Sequence, residues 1–466
     1  MLFPSIPFLY YFLPAALLLY AAAPKRWKNT VLLAASLIFY GWGEPKYLLL
    51  MVVTIAQGYV FGLLTGRFRG TVWATLSMAA SVGISLLTLG VFKYSGFLIR
   101  TVNTLTKSSF PVLSLALPVG ISFYTFQIIS YEADVWRGQV QAQKHPVRLA
   151  LYISMFPQLI AGPIVRYSDL EGQLKTRHVT GKDAAEGIRR FSIGLAKKVL
   201  IADQLAQFNA SFAAADQKSV LFYWLYAAAC TLQIYFDFSG YSDMAIGLGR
   251  LFGFRFCENF QYPYCSGSIT EFWRRWHISL GTWFRDYLYI PLGGNRNGKL
   301  RWLRNILIVW LATGLWHGAA WNFVLWGLYF AVLLVAEKLW LLPLLKHQKF
   351  LNHIYVLFFV GISFVLFDAS DVRSAFETIR SMAGLGGLPA VTGESLYYLK
   401  SYSRIFLAAI IGATPLPCRF LVWMKTRKAG VWFAAAAEMI GPVILLAVST
   451  AFLIDGSFHP FLYFRF

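Results

Sequence analysis

Apolar residues gather along this chain in long blocks separated by short polar, basic stretches. Clear blocks lie at roughly 1–23, 46–65, 72–92, 110–131, 350–368 and 430–454, each near the ~20 residues a helix needs to cross a bilayer. With the weaker blocks included, the pattern predicts an all-α polytopic membrane protein of about a dozen transmembrane or re-entrant helices. No soluble domain, low-complexity linker or internal repeat interrupts it, so residues 1–466 read as a single integral membrane domain. The first block ends in Ala21-Ala22-Ala23, as a signal peptide could, but no Lys or Arg precedes Lys25. It reads as a retained first helix with its N-terminus outside.

Two blocks depart from a simple span. Residues 149–164, LALYISMFPQLIAGPI, are short and broken by Pro157 and Gly162-Pro163. Basic residues flank them on both sides: Arg137, Lys144 and Arg148 before, Arg166, Lys175 and Arg177 after. If both flanks are cytoplasmic the segment dips in and returns, which backbone tolerates only where protein or a water-filled cavity satisfies its polar groups. The second, 303–336, would extend roughly 50 Å as one helix against a hydrocarbon core of ~30 Å. It must tilt strongly, bend or break, and Gly314 and Gly318 mark the place.

Between those glycines sits His317, an ionisable residue deep in apolar sequence and therefore a functional candidate. The structural alternative is a neutral imidazole bonded to a neighbouring carbonyl. A second histidine, His277, lies in EFWRRWHISLGTWFRDY (271–287). Read as one helix, this string puts Trp273, Trp276, Leu280, Trp283, Phe284 and Tyr287 on one stripe, Arg274 and Arg285 together on another side, and His277 beside the stripe. That is an amphipathic helix at an interface or along a polar cleft; a solvated His on a membrane-surface helix is the plainer alternative. Asp237 and Asp243, in QIYFDFSGYSDM (233–244), are acids in apolar context that should pair with a cation or bind an ion; scaffold pairing is the preferred reading.

Composition sharpens this. The chain is 58% hydrophobic and 14% charged, with mean hydropathy +0.56, more apolar surface than a soluble domain can hide. Aromatics reach 17%, which suits interfacial belts and an aromatic interior. The net charge of +21 would suggest nucleic acid in a soluble protein. Here the basic residues sit between apolar blocks, as in Lys25-Arg26-Trp27-Lys28, and fit the positive-inside rule and anionic lipid headgroups, with no nucleic acid. Segment 250–304 carries Arg250, Arg255, Arg274, Arg275, Arg285, Arg296, Lys299, Arg301 and Arg304 against Glu258, Glu271 and Asp286, which places it in the cytoplasm. Cys230, Cys257, Cys265 and Cys418 show neither CxxC pairing nor metal spacing, so no disulfide framework and no metal site is expected.

Several strings together carry a resemblance. FWRRWHISLGTWFRDYLYIPLGGNR (272–296) and GLWHGAAWN (314–322) resemble the two signature histidine regions of the membrane-bound O-acyltransferase (MBOAT) family. FYTFQIISYEADVWRG (123–138), FPQLIAGPIVRYSDL (156–170), QIYFDFSGYSDMAIGLGRLFGF (233–254) and HPFLYFRF (459–466) extend the match over most of the chain. The family-like core covers about 40–337, followed by C-terminal spans over 350–454. The alginate O-acetyltransferase branch, shared with cellulose and peptidoglycan acetylation systems, is the most similar; the D-alanyl transferases of teichoic acid are similar too, but IPLGGNR (290–296) fits the acetylating branch better.

The resemblance implies a helical body, thin at its centre, around a tunnel from a cytoplasmic donor site to an extracytoplasmic funnel. It puts His317 in the invariant catalytic position and His277 in the second signature position. It also implies acetyl-CoA as donor substrate with no tightly bound cofactor, an extracytoplasmic SGNH-type partner protein, a polysaccharide acceptor, and a bacterial inner or plasma membrane.

The residues support the chemistry: a hydroxyl is a poor nucleophile at neutral pH, and an imidazole within hydrogen-bond reach can take its proton, typically worth ~10²–10⁴-fold. His317 is the expected general base. Arg274, Arg275 and Arg285 are candidates for the donor's phosphates. With no Ser or Cys nucleophile beside a local base, direct transfer is favoured over a covalent intermediate. A transporter or flippase without acyl chemistry is the rival from another class, resting on broken helices and on Asp237 and Asp243.

Overall fold

In a computed structural model the chain is described over residues 3–113, 115–296, 298–348 and 350–456; the terminal string 459–466 lies outside the described residues. All regular structure among these residues is helical. Five helices are long and apolar enough to cross a membrane: Pro45–Arg67, Val72–Thr106, Trp321–Leu345, Leu351–Asp368 and Gly430–Asp455. The pair Gly393–Gly412 and Leu416–Lys425, bent by 66°, makes a sixth if it is one broken span. The protein is a multi-pass membrane protein, and its remaining helices are shorter, broken or packed among others.

The expected span over 110–131 is corrected. Pro111 and Pro118 lack the amide donors a helix needs, and the helix begins only at Ile121, running to Arg137 with nearly every residue buried. Gly120 precedes it at φ +77°, and a Cβ there would meet the carbonyl oxygen of Leu159 at 2.7 Å. Only glycine satisfies both demands.

Residue contacts divide the chain into two compact units, Met1–Phe191 with Met244–Cys257, and Ser192–Asp243 with Glu258–Phe466. In the first, the helices Pro45–Arg67, Val72–Leu89 and Ile121–Arg137 pack on one another. The 149–164 segment holds two short helices, Pro146–Ser154 and Phe156–Leu159, of 9 and 4 residues, with a break at Met155. The longer covers roughly 14 Å, under half a hydrocarbon core. Phe156 anchors the break among Phe12 and Phe39, each with its ring centroid 5.4 Å away.

The second unit holds both candidate histidines. Its relevant helices are α1 (Val220–Leu251, of which residues up to Asp243 belong here), α2 (Ile269–Arg275), α3 (Ile278–Phe284), α4 (Lys299–His317), α5 (Trp321–Ala336) and α6 (Leu351–Asp368). The long apolar block breaks at Gly318, and α4 and α5 fold into a closely packed hairpin. Around them lies an aromatic core that includes Phe222, Trp276, Trp326, Phe330 and Phe364.

Candidate active site

The single amphipathic helix expected over 271–287 is replaced by two short helices with a sharp break at His277. α2 starts on the Ser268 side chain, which accepts from the Glu271 amide at 3.0 Å. Its N-terminus also meets the buried carboxylate of Glu337, which accepts from the Ile269 and Thr270 amides and, at 2.6 Å, from the Thr270 hydroxyl. A carboxylate at a helix N-terminus satisfies its orphan donors and matches its dipole. At the other end His277 adopts φ +44°, ψ +54°, a left-handed conformation rare for a residue with a side chain and typical of sites where function holds strain. The break leaves backbone groups without helical partners, and loop 259–261 takes them: the Ile278 amide donates to the Asn259 carbonyl at 3.0 Å and the Gln261 amide to that of Arg275 at 2.9 Å.

His277 is therefore not a solvated surface histidine. It is 1% exposed, edge-on to Phe238 with ring centroids 4.6 Å apart. Burial first, and the nearby His317 second, hold its pKa well below the usual imidazole value, so it is neutral at physiological pH; it lies outside the helices that can span a membrane. Nδ1 sits 3.2 Å from the Asn259 side-chain oxygen, and buried Nε2 has no hydrogen-bond partner among the described residues.

His317 ends α4 and is 6% exposed. Its ring lies edge-on against Trp316, Trp326 and Phe367, at centroid distances of 5.0, 5.0 and 5.3 Å. Trp316 also reaches His277, 5.9 Å between centroids, so one indole stands against both imidazoles.

A cavity of about 670 Å³ opens on His277, while His317 is set back from its wall, beyond Thr313 on the same helix. Its wall includes Trp273, Arg274, His277, Arg285, Trp310 and Thr313, and among the described residues no Asp or Glu lines it. The last two lie on α4, with Thr313 one turn before His317. Arg274 and Arg285 thus meet at one cavity although the helix that was to align them is broken. Arg285 is held by Asp286 at 2.6 Å, while Arg275 is not on the wall and pairs with Glu271 at 2.5 Å. The acids of α1 pair with cations: Asp237 with Lys198 at 2.6 Å and Asp243 with Lys197 at 2.7 Å. Sequence reasoning missed Asn259, Trp326 and Phe367, which lie farther along the chain from the histidine they surround or within ordinary apolar runs and carry no local signal, and it gave no role to Ser279, two residues from His277.

His277, His317, the aromatic rings around them and the cavity with Arg274 and Arg285 on its wall form the candidate site. The sequence profile described as MBOAT, membrane-bound O-acyltransferase family, matches residues 92–367. The chain is 38% identical over 503 aligned positions to a probable alginate O-acetylase of Azotobacter vinelandii, covering 100% of both chains. It is 42% identical over 487 positions to a probable alginate O-acetylase of Pseudomonas putida, again covering 100% of both. Against a peptidoglycan O-acetyltransferase of Helicobacter pylori it is 33% identical over 524 positions, covering 100% of this chain and 95% of the relative. The chain belongs to the membrane-bound O-acyltransferase family. It is an O-acyltransferase.

Proposed function

We propose that the protein moves acetyl from acetyl-CoA at the cytoplasmic face toward O-acetylation of an extracytoplasmic polysaccharide such as alginate, cellulose or peptidoglycan, in a bacterial inner or plasma membrane. The cavity carries this reading: its wall joins two arginines, suited to phosphate, to an imidazole and aromatic surfaces that suit an acyl-bearing thioester arm. His317 is the general base. As a hydroxyl oxygen bonds to the acetyl carbonyl carbon, the imidazole takes the hydroxyl proton; the carbon–sulfur bond then breaks, and that proton passes to the departing thiolate. The acceptor hydroxyl belongs to the polymer or to an SGNH-type partner that completes transfer outside. Acetyl is favoured over D-alanyl because a D-alanyl group carries an ammonium, and among the described residues the cavity wall offers it no carboxylate.

The test is turnover of acetyl-CoA by purified protein, read as coenzyme A release or transfer. His317→Ala loses about 10²–10⁴-fold while keeping its melting temperature, and near-normal turnover would remove the base assignment. Asp237→Asn, compared at equal folded fraction, keeps turnover. A reversed ranking, with Asp237 indispensable and His317 dispensable, favours the transporter.

A further inference from the structure

We infer that Asn259 is a positioning residue that locks neutral His277 in the tautomer with the proton on Nδ1, leaving Nε2 as a proton acceptor and not a donor. The kinetic part rests on the acyl-transfer reading above; the tautomer does not.

A backbone amide gives the fixed reference. The amide of Ser279 can only donate, and it points at the Asn259 side chain from 3.2 Å. The atom it meets must be the oxygen, Oδ1. The Ser279 hydroxyl donates to the same oxygen at 2.9 Å. The opposite end of the amide, Nδ2, donates to the Ser242 hydroxyl oxygen on α1 at 3.0 Å. The Ser279 amide, which can only donate, excludes the flip, and the Ser242 hydroxyl can accept from the Nδ2 end. The third group on Oδ1 is His277 Nδ1, at 3.2 Å. An oxygen that accepts there requires a proton on Nδ1, and a neutral imidazole has only one proton to place. Nε2 is therefore a bare lone pair.

Burial makes this selective. Asn259 and His277 are each 1% exposed, and Ser242 and Ser279 each 2%. The Ser279 hydroxyl also lies 3.5 Å from His277 Nδ1, but it donates over the shorter 2.9 Å to Asn259 Oδ1, so the opposite tautomer would set the Nδ1 and Oδ1 lone pairs against each other in a buried site. The loop that brings Asn259 is itself held by its backbone carbonyl accepting from the Ile278 amide. Two consecutive residues of the His277 break, Ile278 and Ser279, thus bond to Asn259, one through its backbone and one through its side chain. The consequence for chemistry is sharp. A neutral His277 with Nδ1–H cannot donate to a thioester carbonyl oxygen from Nε2; it can only receive a proton or accept a hydrogen bond.

The experiment uses full-length protein in lipid nanodiscs with ring-15N histidine, the His277 resonances being assigned by difference against His277→Gln. Wild type should show protonated Nδ1 and unprotonated Nε2. Asn259→Asp keeps an oxygen facing Nδ1 and another to accept from the Ser242 hydroxyl, so the tautomer is retained. Asn259→Ala removes the acceptor, and the Nε2–H form appears. In acetyl-CoA turnover Asn259→Ala lowers kcat by about 10–100-fold with donor KM little changed, and Asn259→Asp restores most of it. An Nε2–H spectrum in wild type, or a spectrum unchanged in a folded Asn259→Ala, overturns the proposal. So does an Asp variant as inactive as the Ala variant at equal folded fraction. If wild type turns over no acyl donor, the acyl-transfer reading fails, and the spectra alone still decide the tautomer.

Discussion

Gly314 on α4 and Gly327 on α5 lie against each other across the hairpin: a Cβ on Gly314 would stand 3.3 Å from the Gly327 Cα and overlap the Phe323 carbonyl oxygen. A Cβ on Gly327 would in turn overlap the carbonyl oxygen of Trp310. This approach carries Thr313 and His317 into their places, because α4 and α5 can touch at backbone distance only where neither has a side chain.

Gly327→Ala should therefore lower stability by about 1–3 kcal/mol, with a fall in turnover as His317 shifts. Gly83→Ala, where a Cβ meets nothing within 4 Å, should stay within about 1 kcal/mol of wild type. Melting temperatures of the two in one detergent check this; helix propensity alone predicts no loss in either, since Ala is the better helix former, and equal losses would show that close approach at Gly327 does not set the effect.

Arg274 and Arg285 share the cavity wall. Replacing both with Gln should raise donor KM by about tenfold, since charge-assisted contacts carry about 1.5–3 kcal/mol before screening. The kcat should change less, because phosphate contacts are made in ground and transition states alike. Raising salt should weaken donor binding in wild type as well. An unchanged KM in the double variant returns these arginines to lipid contact.

The buried break at Met155 predicts that 149–164 enters and leaves from one side. Single cysteines at exposed Lys144 and Ser168, in a background lacking Cys257 and Cys418, should label from the same face with an impermeant maleimide. Labelling from opposite faces would make the segment an ordinary crossing.

Because burial and the neighbouring His317 depress the His277 pKa, the imidazole stays neutral to well below pH 6.5. Turnover should hold from about pH 8 down through about pH 6.5 as far as this residue is concerned. The sign for stability follows: below the unfolded value of about 6.5 the unfolded chain takes up a proton that the folded chain refuses, so stability present above that pH is lost as pH falls. Melting temperatures of wild type and His277→Gln across this range test it. A wild-type curve that parallels the variant's would show that His277 titrates normally.

The apolar blocks by themselves determined that the chain is helical and crosses a membrane repeatedly, since no other fold hides such runs from water. The strings around His277 and His317 also pointed to the family and to the two imidazoles. Local periodicity misled at 271–287, where it saw one helix. Tertiary contacts there, Glu337 at the start of α2 and the Asn259 loop at its end, stabilise a left-handed break that no 100° rotation can anticipate. The block 110–131 failed likewise, because Pro111 and Pro118 interrupt it and buried packing, not lipid, surrounds what remains. Most of the site was decided by folding alone. The Asn259 side chain reaches His277 through its oxygen across 18 residues and Ser242 through its nitrogen across 17, and Phe367 reaches His317 across 50. Such distances are bridged by packing, which acts on neighbours in space and leaves no periodic mark along the chain.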